Sequence, residues 1–177
     1  MVNTHKRFRS RFWSIVFFVL ASFIAFSIGG ALLASPVEHA EMDVSGVWES
    51  TMEIFSNNLS LLVLNFLGIF TLGAINIYTL LINALDLGET VAIAFHYLDA
   101  KTVLLRIVPH AILELPVIIL GISVGFLPWL LIYSKVRAPE CTSNLIRMAI
   151  GFICKLFLVC VALTLIAAVI ESNISMR

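Results

Sequence analysis

From Phe12 to Leu33 the chain runs through about 20 apolar or small residues without one charged side chain. A run of that length and character is enough to cross a bilayer as a single helix. It sets the terms for the rest of the chain, because the same character returns several times before residue 177. Residues of the set AVILMFWYC make up 60% and charged residues 12%, against about 25% charged in an ordinary soluble chain. With a mean hydropathy of +1.05, there is too little polar surface to cover an aqueous globule. A soluble enzyme, a disordered linker and a nucleic-acid binder are therefore excluded. The 11 basic and 11 acidic residues cancel, so no net field recruits a polyanion.

The start, MVNTHKRFRSRFW, is basic like a signal peptide, but the apolar run after it is too long for an h-region. Ala34-Ser35-Pro36 is a poor cleavage site, because proline follows directly. The segment reads as an uncleaved signal anchor with a cytoplasmic basic N-terminus over 1–11. A polar segment follows over 35–57, carrying Glu38, Glu41, Asp43, Glu49 and Glu53 and no Lys or Arg. Val44, Val47, Trp48, Met52 and Phe55 recur within it at helical spacing, which predicts an external amphipathic helix with Trp48 suited to the interface.

The second span is expected over 58–82, a weaker apolar stretch over 87–98, and a long run over 103–133 broken by Pro109, Pro116 and Pro128. A polar loop over 134–147 holds Lys135, Arg137, Glu140 and Arg147, and the last span covers 148–170. If 87–98 crosses there are five spans; if it only dips in there are four. Leaving out Lys155 inside the membrane, both arrangements put seven Lys and Arg inside and three outside, so the positive-inside rule does not choose between them. The fold class is all-α: one integral membrane domain over 1–177, a polytopic bundle of about five spans, one of them short or re-entrant.

Polar groups inside such a bundle carry the functional argument. Asn58, Asn65, Asn76 and Asn83 are separated by 7, 11 and 7 residues. At 100° per residue these offsets place all four amides on one face of a continuous helix, with Thr79 near it. Amides without partners are costly in lipid, so the stripe must face protein or a wet cavity. Either it bonds neighbouring helices, at about 0.6 kcal/mol per contact, or it lines a pathway. His110 and Glu114, within Pro109-His110-Ala111-Ile112-Leu113-Glu114-Leu115-Pro116, are four apart and can meet on one helix face. The pair suits either proton transfer or mutual satisfaction at a helix junction.

Two ligands do not make a metal site, and no HExxH or GxSxG is present. No cofactor is implied. Cys141, Cys154 and Cys160 show no zinc spacing and read as free thiols. Gly68 and Gly73 thin the second span, and Gly121-x-x-x-Gly125 allows close helix approach, within the protein or between protomers.

In chain order these features resemble the stage II sporulation protein M family. The resemblance rests on paired Asn57 and Asn58 opening a span that bears Gly68 and Gly73, on Asn83, on the Pro109-His110 to Glu114 block, and on Glu171 near the end of the last span. Two departures stand out: Ala111 follows the histidine where the family has glycine, and Ala84 follows Asn83 where the family has glycine. The resemblance implies five spans with the N-terminus inside and the C-terminus outside, in the cell membrane.

It also implies a membrane anchor that assembles peptidoglycan-degrading partners, while some relatives resemble components of bacteriocin production or immunity clusters. Two functions are therefore expected as alternatives. One is a non-enzymatic membrane scaffold that meets membrane lipid and either a membrane or cell-envelope protein or a second copy of itself. The other is a small transporter or bacteriocin export and self-immunity factor. Its polar site would comprise His110, Glu114, Asn58, Asn65, Asn76, Asn83 and Glu171.

Overall fold

A computed structural model of the chain describes residues 2–34, 51–137 and 142–175, with side chains omitted at 2–5, 106–110, 142–143 and 173–175. Among these residues there is no strand. The helices are α1 (Val2–Leu33), α2 (Thr51–Leu67), α3 (Ala74–Tyr97), α4 (Ala100–Gly125), α5 (Leu127–Arg137) and α6 (Thr142–Ser175), with a short 3-10 helix over Gly68–Thr71 after α2.

Four stretches are long and apolar enough to cross a membrane: Lys6–Leu33, Thr51–Thr71, Ala74–Tyr97 and Asn144–Ser172. Ala111–Gly125 with Leu127–Arg137 qualifies as a fifth, bent by 41°. Their outer faces are apolar, with Phe17, Phe18, Leu32, Phe70 and Leu158 more than two-thirds exposed. A water-soluble protein does not leave a continuous belt of this kind bare.

The expected second span over 58–82 is not one helix. The chain reverses at Leu72 and Gly73, both left-handed, with φ of 54° and 89°. Gly73 suits that conformation, and a Cβ there would press on the Phe126 ring. The turn satisfies its own backbone: Gly73 N–H donates to Gly68 O at 2.9 Å, and Ile77 N–H to Gly73 O at 2.9 Å. The indole of Trp129 donates to Leu72 O, also at 2.9 Å. A reversal bonded in this way needs no polar loop.

Three further boundaries move. The weak stretch 87–98 is the second half of α3, so it is not a separate dipping segment. Residues 51–57, expected to end an external amphipathic helix, open α2; the remainder, 35–50, lies outside the described residues. The polar loop 134–147 shrinks from both sides, since α5 runs to Arg137 and α6 starts at Thr142, while 138–141 with Cys141 lie outside the described residues. Pro109 and Pro116 lie within α4, and the break in the long run comes at Phe126.

Packing fixes the relative directions. Phe8 and Phe12 from the start of α1 share a core with Val124, Leu127, Leu130, Leu145 and Ala149. Trp129 ties the start of α3 to the same end. At the opposite end Thr51 of α2 bonds Ser172 of α6 at 2.7 Å. Helices α1, α3 and α6 therefore run one way, and α2 and α4 the other. The α1–α3 contact is the closest kind, backbone against backbone: a Cβ on Gly30 would strike the Leu85 carbonyl, and one on Gly88 the Ser27 carbonyl. Without a hydrophobic drive between helices in lipid, such small-residue contacts supply the dispersion energy.

Candidate functional site

The buried amides gather by folding back rather than by helical period. Asn65 stands near the end of α2 and Asn76 near the start of α3, and the turn between them brings the two together. Asn76 Nδ2 donates to Asn65 O at 2.8 Å and reaches Gly121 O of α4 at 3.4 Å. The Thr79 hydroxyl lies 2.6 Å from Asn65 Oδ1 and 3.2 Å from Asn76 O; with one hydrogen to give, it serves the nearer acceptor. Asn65, Asn76 and Thr79 are all buried. They form a knot joining α2, α3 and α4.

One atom of the knot has no N–H or O–H donor, the buried Asn76 Oδ1. Gly68 and Gly125 close over it, and a Cβ on either would collide with this oxygen. A glycine hydrogen occupies the Cβ direction in each case, so the oxygen rests on two Cα–H groups, weak donors that partly replace the missing bond. Gly121 plays a milder part, since a Cβ there would sit 3.3 Å from Asn65 Cβ. The Gly121-x-x-x-Gly125 pair thus faces the interior and admits the two asparagines.

The second polar group lies farther along α2. Asn58 Nδ2 donates to Glu114 Oε1 of α4 at 2.5 Å, and both residues are half-buried. Beside them is a cavity of about 20 Å³, lined among others by Asn58, Asn65, Glu114 and Thr164. That volume holds about one water molecule, and the polar groups on its wall can bond it. Thr164 of α6 was not expected here; a threonine in an apolar run gives no sequence sign of which face it takes.

The remaining expected members fall elsewhere. Asn83 does not join the others; its Nδ2 bonds Thr79 O at 2.7 Å within α3. Glu171 lies seven residues beyond Thr164 on α6, about 10 Å along the axis, and does not line the cavity. His110 belongs to α4 one turn before Glu114, but its side chain lies outside the described residues. Among the described residues no three His, Cys, Asp or Glu side chains could hold a metal ion together.

Gly30 and Gly88 were also missed, although Ala84-x-x-x-Gly88 is a readable small-residue pair. Outside the bundle, Asp99 caps α4. Its carboxylate accepts from the Thr102 hydroxyl at 2.6 Å and from Thr102 N–H at 3.0 Å, which holds its pKa below the usual 3.8.

A protein-family model described as Stage II sporulation protein M matches residues 14–176, nearly the whole chain. No curated protein and no solved structure matches it.

Proposed function

This chain belongs to the stage II sporulation protein M family and is a membrane protein, and from that premise we propose that it acts as a non-enzymatic scaffold that assembles another membrane or cell-envelope protein. The observation that carries this reading is where the polar side chains spend their bonds. Asn65, Asn76 and Thr79 bond one another and the backbone of neighbouring helices. A polar core closed in this way fixes helix positions and offers nothing to a passing solute. The end bearing Lys6, Arg7, Arg9, Arg11, Lys135 and Arg137 faces the cytoplasm in this reading, by the positive-inside rule. The C-terminus and the acidic segment 35–57 then face outward, in the cell membrane, where a partner can meet them.

Native mass spectrometry of protein extracted gently from its own membrane tests the assignment. A second protein at fixed stoichiometry is expected. A lone protomer that carries only small molecules overturns it. For sidedness, cysteines are placed singly in a chain whose native cysteines are replaced by alanine. Glu53→Cys is expected to react with an impermeant thiol reagent on intact cells, and Arg137→Cys only after lysis.

A second reading, a small transporter or bacteriocin export and self-immunity factor, draws on the Asn58–Glu114 bond and its water-sized cavity. At about 20 Å³ the cavity passes no solute as it stands, so this reading requires the α2–α4–α6 seam to open. Glu114→Gln that folds but abolishes export or immunity would favour it over the scaffold.

A further inference from the structure

The basic residues at one end of the bundle do more than mark its orientation. Lys6, Arg7, Ser10 and Arg11 of α1 and Arg137 of α5 line one cleft of about 520 Å³. The Arg11 guanidinium carbon lies 4.9 Å from the centre of the Tyr133 ring and that of Arg137 5.4 Å from the same centre. Two guanidinium groups from separate helices are thus gathered on one aromatic ring, each favoured by the ring's π face. Among the described residues their mutual repulsion has no local answer: α1 and α5 contain no Asp or Glu, nor do the end of α2, the start of α3, the end of α4 or 142–170 of α6. Glu140 lies outside the described residues. An open cleft lined by charges of one sign draws in counter-ions.

The surroundings say which anion. Trp13, Trp129, Ile132 and Val136 are exposed, so the cationic cleft adjoins an apolar, tryptophan-bearing surface. That pairing places the cleft at the depth of lipid headgroups. A ligand that satisfies both has a phosphate for the cations and hydrocarbon for the flank. We propose that the cleft between the start of α1 and the end of α5 is a binding site for the phosphate headgroup of an anionic phospholipid. The site does not depend on the scaffold reading or on which side of the membrane the cleft faces.

The test is native mass spectrometry on delipidated full-length protein, titrated with phosphatidylglycerol, phosphatidylcholine or inorganic phosphate. Phosphatidylglycerol is expected to bind more tightly than phosphatidylcholine. Arg11→Gln or Arg137→Gln is expected to weaken phosphatidylglycerol about fivefold, and both together about thirtyfold. Lys101→Gln, at the opposite end, is expected to leave the affinity unchanged. Should the double variant fail to fold, Lys6→Gln with Arg7→Gln, both exposed, should still lower the affinity severalfold. Equal binding of the two lipids, or unchanged affinity in the variants, overturns the site. Displacement of phosphatidylglycerol by millimolar inorganic phosphate would make it a soluble-anion site and overturn the lipid assignment.

Discussion

Asn58 and Asn65 stand on α2 seven residues apart and so on nearly the same face, yet they inhabit different chemistry. Asn65 is 1% exposed and bonded on both functional groups of its neighbourhood, its carbonyl by Asn76 and its side chain by Thr79. Asn58 is half-buried and donates to a carboxylate beside a cavity sized for one water. The same residue type on the same face thus serves as a lock in one place and, in the other, as a carboxylate's partner on the wall of a small, mostly apolar cavity that Asn65 also reaches. What separates them is what the facing helices supply. Near Asn65 α4 brings Gly121, which lets the backbones close in, while Gly125 of α4 and Gly68 of the turn after α2 do the same around its partner Asn76. Near Asn58 α4 brings Glu114, and packing stops short.

The largest effect should come from filling the lock. Gly125→Ala puts a methyl where Asn76 Oδ1 sits, and overpacking of that kind costs about 1–3 kcal/mol. A clear drop in melting temperature in detergent is expected, and Gly68→Ala should behave alike. Adding Asn76→Ala removes the obstacle, so the double variant should be more stable than the sum of the two single changes by about 1 kcal/mol. Simple additivity would mean that the glycines matter for some reason other than the amide.

Next comes reactivity. In a cysteine-free background, Asn65→Cys should resist a small water-soluble thiol reagent, while Asn58→Cys should react. Protection at both positions would merge the two regions into one sealed core. Glu114→Gln should cost under about 1 kcal/mol, because the new amide oxygen still accepts from Asn58. A loss as large as that of Gly125→Ala would show that the cavity is a second lock.

The gathering of Asn65, Asn76 and Thr79 was legible in the sequence, but for a reason the structure replaces. Period arithmetic assumed a continuous helix across 65–76, where the chain in fact turns back. Hydropathy could not show the turn, because Gly68 to Ala74 reads GIFTLGA, apolar or small but for Thr71. The reversal bonds its own backbone, with the Thr71 hydroxyl donating to Gly68 O at 3.1 Å, and borrows the Trp129 indole, so it needs no charged or amide residue of the kind that usually announces a loop. Gly73 was visible as a glycine, but its positive φ was not. The cavity escaped for a related reason: Thr164 comes from a helix distant in sequence. The apolar spans themselves were readable, since their length and lack of charge are dictated by the bilayer and do not depend on how the helices pack.

The smallest effect lies at the exposed start of α4, on the helix that carries Glu114. Asp99 caps α4 in the open, and its bonds from Thr102 lower its pKa below 3.8. The ionised form is thus held more firmly when the helix is formed than when it is not. That stabilisation is present above about pH 4 and is lost as the pH falls from there through the lowered value. Amide exchange in the first turn of α4 should accordingly quicken below pH 4, after correction for the intrinsic pH dependence of exchange. Asp99→Asn keeps a capping oxygen but carries no proton equilibrium, so its first turn should show no such step. A step that persists in Asp99→Asn would show that Asp99 is not the group that titrates.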